Sequence, residues 1–291
     1  MVINYGVTRA ELIHRINATN KTWIKRAKER TVAYARSRKF TGGTEFWGQI
    51  KRVYIDLQYE KCAYCETKLP GKVLSSKAHE VEHFRPKGRI RRWPNPNLLY
   101  LKGFRSPCPT GNESASGYYL LAYHPFNYAI ACTRCNSTLK SDYFPIRGRR
   151  LLSGRDPSRM RAEDALLIYP ISDIDVDPTD VIVFDGVLAV PRRQSGSDFE
   201  RAIVTIEFFQ LNHEDLTTRR ARQLHSLFLI LESRRAALNE SRQAKQLDDG
   251  IAVASRPDAQ FSACMTAFVA LHKSDRAKAT MLANEARKLF P

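Results

Sequence analysis

Cys62-Ala63-Tyr64-Cys65 and Cys132-Thr133-Arg134-Cys135 are two C-x-x-C loops. Between them stands Glu82-His83, and the second loop runs directly into Asn136, with Lys140 four residues further on. Each short loop wraps two sulfurs around one side of an ion, so the two loops together supply the four thiolates of a closed tetrahedral zinc site, Cys62, Cys65, Cys132 and Cys135. The competing readings are ordinary buried cysteines or a redox-active pair, and two matched loops favour the metal.

Working outward, 291 residues that are 43% apolar and 26% charged place the chain among soluble globular proteins with a sizeable core, and exclude a disordered tail. No apolar run approaches the ~20 residues that span a bilayer, and Met1 to Lys25 has no signal-peptide core, so a cytoplasmic protein with no membrane association is expected. Six cysteines are too few for a disulfide scaffold in a chain of this length, which leaves Cys108 and Cys264 unpaired. The formal net charge is +17, and its distribution is informative. Residues 1–150 hold 28 Lys+Arg against 10 Asp+Glu, whereas residues 151–291 hold 19 against 20. The whole excess therefore accompanies the cysteine loops. A field of this kind attracts a polyanion, because Lys and Arg contacts to phosphate supply most non-specific nucleic-acid affinity; the bland alternative is a solvated basic surface.

Periodicity predicts a helix over residues 8–38, capped by Thr8 and basic on its polar face, and a second over about 45–59 after Gly42-Gly43. Residues 87–117 are rich in Pro, Gly, Asn and Ser and read as an irregular excursion, around whose start Arg85, Lys87, Arg89, Arg91 and Arg92 can grip a phosphate backbone. Tyr118–Tyr123 reads as a strand or a helix start. A short helix is expected over 133–141, a hairpin near 181–190 with Asp185-Gly186 at its turn, and helices over 199–211, about 214–240 and within 259–289.

The run Cys62-Ala63-Tyr64-Cys65-Glu66, Glu82-His83-Phe84-Arg85-Pro86-Lys87, Asn127, Cys132-Thr133-Arg134-Cys135-Asn136, Lys140 and Phe144-Pro145 resembles the HNH endonuclease superfamily. Within it, the chain looks like the nuclease subunits of Septu anti-phage systems, the PtuB family, and their retron-associated relatives, over roughly residues 50–225. The resemblance implies an α+β fold: a ββα-metal (HNH) nuclease core stapled by the four-cysteine zinc site, with flanking α-helices. Residues 1–50 would form a basic helical N-terminal region, 51–150 the core, and 151–291 a mainly helical region carrying the hairpin. It implies His83 as general base, Glu82 as the adjacent acidic metal ligand, Asn127 as the middle Asn that orients the His-bearing loop, and Asn136 as the last HNH position. It also implies DNA as substrate and a partner ATPase that regulates cutting, with the near-neutral C-terminal helices as docking surface. Two positions depart from the family pattern: Asn136 stands where many members have His, and Lys140 follows it by four residues instead of three.

The chemistry supports those assignments on its own terms. Phosphodiester hydrolysis needs an activated water and relief of charge on the phosphoryl and leaving oxygens. Histidine titrates near working pH, and a hard divalent ion such as Mg²⁺ (or Mn²⁺) needs one or two protein oxygens, here Glu82 and Asn136. Arg85, Lys87, Arg134 and Lys140 are candidates for holding phosphates. Neighbours on a strand face opposite ways, so Glu82 and His83 share one site only at a twist or an edge. Two rival functions remain open: a zinc-ribbon module that binds nucleic acid or a partner without cutting, and an HNH nuclease acting on RNA. Among lesser candidates, His79 and His124 are more simply loop or turn residues. Asp173, Asp175 and Asp177 lack the glycine and glutamate of a calcium loop. His213, His225 and His272 read as structural, and Tyr118, Tyr119, Tyr123 and Phe126 as core aromatics ahead of base-stacking ones.

Overall fold

The computed structural model describes residues 6–69, 80–95, 97–169, 171, 174–237 and 241–290. The helix expected over 8–38 is two helices, α1 (Arg9–Thr19) and α2 (Trp23–Ser37). Thr8 starts the first, its hydroxyl accepting the Glu11 N–H at 3.1 Å. Asn20 breaks the run because its Oδ1 accepts both the N–H and the hydroxyl of Thr22, a local turn that competes with the helical ladder. The stretch expected as helix over 45–59 is a 3-10 turn, Trp47–Ile50, leading into α3 (Lys51–Leu57).

Strand β1 (Glu80–His83) pairs antiparallel with β2 (Tyr128–Ala131), Glu82 lying opposite Ala129 and His83 opposite Tyr128. Every residue of β2 is buried, so both of its edges must be satisfied. One edge meets β1. On the other, the Ile130 N–H donates to Gln58 Oε1 at 2.7 Å, and the Ile130 carbonyl accepts from Gln58 Nε2 and from the Ala63 N–H, each at 2.9 Å. The buried amide of Gln58 thus acts as a short piece of strand, binding the end of α3 and the first cysteine loop to the sheet.

After β2 the chain enters the second cysteine loop and a helical segment, Arg134–Lys140, closed with π-type geometry by the Ser141 N–H on the Asn136 carbonyl at 2.6 Å. The stretch 87–117 is irregular, pinned by a bridge between Ile90 and Ser114. Tyr118–Tyr123 is neither strand nor α-helix but contains a 3-10 turn, Tyr119–Leu121. Tyr118, Tyr123 and Phe126 are core residues, with Tyr123 stacked on Phe46 at 4.2 Å.

Beyond residue 150 come α4 (Pro178–Val181), the hairpin β3 (Ile182–Asp185) and β4 (Leu188–Pro191), then α5 (Gly196–Phe208), α6 (Glu214–Ala236), α7 (Arg242–Ser255), α8 (Ser262–Ser274) and α9 (Arg276–Arg287). The hairpin turn is Gly186-Val187, one residue later than expected, with Gly186 at φ +58°. Helix α7 has no counterpart in the sequence reading. Of its residues only Ala244 is buried and Gly250 lies in its interior, so it lacks the stripe that marks a core-facing helix. These helices join the cysteine loops through Lys61, wholly buried, whose Nζ donates to Ser262 Oγ at 2.9 Å, to the Ala259 carbonyl at 3.2 Å and to Glu66 Oε1 at 3.3 Å. The architecture is α+β, with small two-stranded sheets among helices. Among the described residues no helix is long and apolar enough to cross a membrane.

One close backbone approach shapes the turn after β1. Gly117 has φ +56°, and a Cβ on it would fall 1.3 Å from the Gly88 carbonyl oxygen, while Tyr118 N–H donates to the Pro86 carbonyl at 2.8 Å. Gly117→Ala should therefore destabilise the fold by about 3 kcal/mol, the sum of overpacking and a left-handed alanine. Gly88→Ala, whose Cβ would meet nothing within 4 Å, should stay within about 0.5 kcal/mol of the parent in urea unfolding.

Candidate functional site

The four expected sulfurs, of Cys62, Cys65, Cys132 and Cys135, all lie within 4.8 Å of one another, with Cys65 and Cys132 3.9 Å apart. Zinc–sulfur bonds of about 2.3 Å in a tetrahedron place sulfurs ~3.8 Å apart, so this cluster fits a zinc ion. The Thr67 hydroxyl, 3.3 Å from Cys65 Sγ, is placed to donate to a thiolate there. Of the remaining cysteines, Cys264 is buried and Cys108 half-buried, and neither is disulfide-bonded.

Beside this cluster, β1 and the segment Arg134–Lys140 face one another. Glu80 and Glu82, two apart on a strand, share a face. Asn136 and Lys140, four apart on a helical segment, share another. Glu80 meets Asn136: its Oε2 accepts from Asn136 Nδ2 at 2.6 Å and from Ser137 Oγ at 2.7 Å, and its Oε1 from Thr133 Oγ1 at 2.8 Å. Burial raises the Glu80 carboxyl, but the donors Ser137, Asn136 and Thr133, with Lys51, outweigh it and leave the group below its ordinary value. Glu82 meets Lys140, whose Nζ is 3.2 Å from Glu82 Oε1. The pair is close enough for an ion pair but off the direction of a hydrogen bond, and among the described residues that buried oxygen has no hydrogen-bond partner. Burial lifts the Glu82 carboxyl to about 7, against the opposing pull of Lys140 and Lys87.

His83 ends β1. Its Nε2 lies 3.1 Å from the Ala122 carbonyl, and Trp47 and Tyr128 meet its ring edge-to-face with centroids 4.8 and 5.1 Å away. A carbonyl only accepts, so Nε2 carries the proton and the lone pair rests on Nδ1. Burial first, then the charges of Lys87 and Lys140, push the imidazole well below its ordinary value, so the ring is neutral at physiological pH. Asn127 is completely buried and clamps the following turn: its Oδ1 accepts the Arg85 N–H at 2.8 Å, and its Nδ2 donates to the carbonyls of Arg85 at 2.9 Å and Leu121 at 3.1 Å.

Glu82, His83, Lys87 and Asn136 line one cleft of about 380 Å³, together with Arg89 and Asp142, which pair at 2.6 Å. At ~30 Å³ per water this is room for a hydrated ion and a phosphate group. The opposite facing of strand neighbours is resolved because the cleft opens at the end of β1, where the chain turns through Pro86–Gly88. The other expected phosphate contacts are placed differently. Arg85 is buried against Glu163 at 2.8 Å, outside the cleft. Lys140 is wholly buried on Glu82 and the His83 carbonyl, which leaves it no surface for a phosphate of the substrate. Arg134 is half-buried and does not line the cleft. Lys87 does, with its ammonium 4.8 Å from the Trp47 ring centroid.

Glu80 and Trp47 were not among the sequence candidates. Glu80 had a signal, its two-residue spacing from Glu82 on one strand face; Trp47 had none, since its place follows from the packing of the turn before α3. His124 lies off the cleft and caps the turn Pro125–Asn127 by accepting the Phe126 N–H at 3.2 Å. Asp175 pairs with Arg201 at 2.8 Å and Asp177 caps α4, while His79 and Asp173 fall outside the described residues. His213 caps α6 and His272 pairs with Glu232 at 2.8 Å.

Two outcomes follow from this geometry. The purified chain should carry one equivalent of zinc by elemental analysis, and Cys62→Ser with Cys135→Ser should lose both the metal and cooperative unfolding; a zinc-free parent would contradict the metal site, and a folded, zinc-free double variant would contradict its role in holding the fold. Burial also lowers His124 to about 4. Below ~6.5 the unfolded chain takes up a proton that the native state refuses until about 4, so stability falls as pH drops through that window. His124→Asn, which keeps a cap acceptor, should flatten that fall in urea titrations between pH 6.5 and 4.

No model of a known protein family matches the sequence, and no solved structure matches the fold. Over 174 residues the chain is 29% identical to Septu protein PtuB of Bacillus mycoides (strain KBAB4), a stretch that covers 60% of this chain and 50% of that protein. The match therefore spans about half the length of the curated relative it resembles.

Proposed function

We propose that this chain is a metal-dependent HNH endonuclease that hydrolyses DNA phosphodiester bonds, acting in a Septu-type anti-phage defence together with an ATPase. The reading rests on one observation above all: Glu82, His83 and Asn136 line a single cleft, with His83 neutral and its Nδ1 free. The likeness to Septu protein PtuB supports the setting in defence, the ATPase comes from the family resemblance, and the near-neutral charge of residues 151–291 makes their helices its docking surface. On this reading β1, β2 and Arg134–Lys140 form the ββα-metal core.

The residues fit a hard divalent cation such as Mg²⁺ or Mn²⁺. Glu82 offers a buried carboxylate whose Oε1 is ion-paired with Lys140 but, among the described residues, accepts no hydrogen bond. Asn136 has its nitrogen committed to Glu80, which leaves its Oδ1 as the free acceptor. When bound, the cation supplies charge stabilisation at the phosphoryl and leaving oxygens. His83 Nδ1 takes a proton from a water as its oxygen bonds to phosphorus, and the bond from phosphorus to the 3′ oxygen breaks with its electron pair going to that oxygen. The departing oxygen takes a proton from a solvent water to become the 3′-hydroxyl, while the His83 imidazolium returns its proton to the resulting hydroxide. The products carry 5′-phosphate and 3′-hydroxyl ends. The Ala122 carbonyl holds the ring tautomer, and Asn127 fixes the turn that follows it. Within the cleft Lys87 is placed to meet phosphate, beside Arg89, which is paired with Asp142.

Plasmid DNA incubated with the protein, alone and with its ATPase, should be nicked only when Mg²⁺ or Mn²⁺ is present. His83→Ala should slow the cut about 10²–10⁴-fold, the usual share of a general base. Binding of DNA without turnover at any cation concentration would make the chain a zinc-bearing binding module. Parallel single-stranded DNA and structured RNA substrates decide between a DNase and an RNase.

A further inference from the structure

Glu80 carries a set of contacts of which the nuclease reading uses only the outcome, the committed nitrogen of Asn136. Its carboxylate takes up the amide nitrogen of Asn136 and the hydroxyls of Thr133 and Ser137, all within 2.8 Å. A primary amide has a donor end and an acceptor end of nearly equal size, and an asparagine that is free to flip presents each to its surroundings. A carboxylate accepts only, so it selects one of the two orientations. With Nδ2 held by Glu80 Oε2, Oδ1 becomes the end of Asn136 that remains for the cleft. The two hydroxyls fix the carboxylate in turn, because Thr133 and Ser137 flank the same turn of the helical segment.

We propose that Glu80 is a positioning residue whose carboxylate, through the amide nitrogen of Asn136, keeps the Asn136 oxygen facing the cleft and so sets the affinity of the site for a divalent cation. This rests on the proposed nuclease reading, in which Asn136 Oδ1 and Glu82 hold that cation. Glu80 does not touch the ion or the substrate. Outer groups that orient metal ligands change affinity ~10–100-fold when removed, which sets the scale of the effect.

A purely architectural Glu80, one that only ties β1 to the helical segment, makes a different set of predictions, and a double-variant series separates them. In Glu80→Ala the amide is free to flip, and Mn²⁺ affinity, read by calorimetry or by the EPR signal of free Mn²⁺ on the full-length zinc-loaded protein, should drop ~10-fold or more. In Asn136→Asp with Glu80 intact, two carboxylates are forced together where a 2.6 Å hydrogen bond stood, so affinity should again fall. Combining the two should restore affinity above that of Glu80→Ala, because an aspartate presents oxygen in either orientation and its repulsive neighbour is gone. Thermal unfolding and zinc content of each variant establish that the fold is intact. Recovery in the double variant supports the proposal. Glu80→Ala binding Mn²⁺ as tightly as the parent, or a double variant no better than Glu80→Ala, overturns it. A parent protein that binds no Mn²⁺ in the cleft overturns the nuclease reading itself, and the two failures are thereby distinct.

Discussion

The four-sulfur cluster is the constraint on which the rest depends. It joins residues 62–65 to residues 132–135 across the end of β2, and both strands of the small sheet hang from that junction. The first loop reaches β2 through Ala63 N–H on the Ile130 carbonyl, and the second follows β2 directly. A two-stranded sheet alone is marginal in water, so a short ribbon of this kind depends on what clamps its ends. Here the clamp is the sulfur cluster at one end and the buried Gln58 amide along the free edge.

Rigidity at that junction matters because the site is assembled from two elements that meet through polar side chains. Glu80 and Glu82 on β1 are matched by Asn136 and Lys140 on the facing helical segment, and polar pairs of this kind need their partners within tenths of an ångström. The segment Arg134–Lys140 begins inside the second cysteine loop, so the cluster sets its start and its rotation. Burial then tunes the groups that the junction has gathered. It holds His83 neutral and raises Glu82 to about 7, where Lys140 supplies the nearest compensating charge.

Much of this was legible in the sequence for physical reasons. Metal-ligand spacing is local and specific, so Cys62, Cys65, Cys132 and Cys135 declare themselves. The hairpin near 181–190 follows from Asp185-Gly186 between β-branched runs, and α5, α6, α8 and α9 from apolar periodicity. The split of α1 from α2 was not legible, because it turns on the Asn20 side chain, whose hydrogen bonds compete with the helix. Helix α7 was missed for lack of a buried stripe. Charge was the least reliable guide. Arg85 and Lys140 read as phosphate contacts from their place beside the motif, whereas each is buried on a carboxylate, Glu163 and Glu82, that is distant in sequence. Nothing in composition or spacing signals such pairs.

The most direct test is crystallographic: anomalous scattering from crystals of the full chain soaked in Mn²⁺, collected at the manganese and zinc edges. The account predicts a zinc peak within the four sulfurs and a separate manganese peak in the cleft, bonded to a carboxylate oxygen of Glu82 and to Oδ1 of Asn136. Manganese bound elsewhere, or a cleft that stays empty while DNA is still cut, would contradict it.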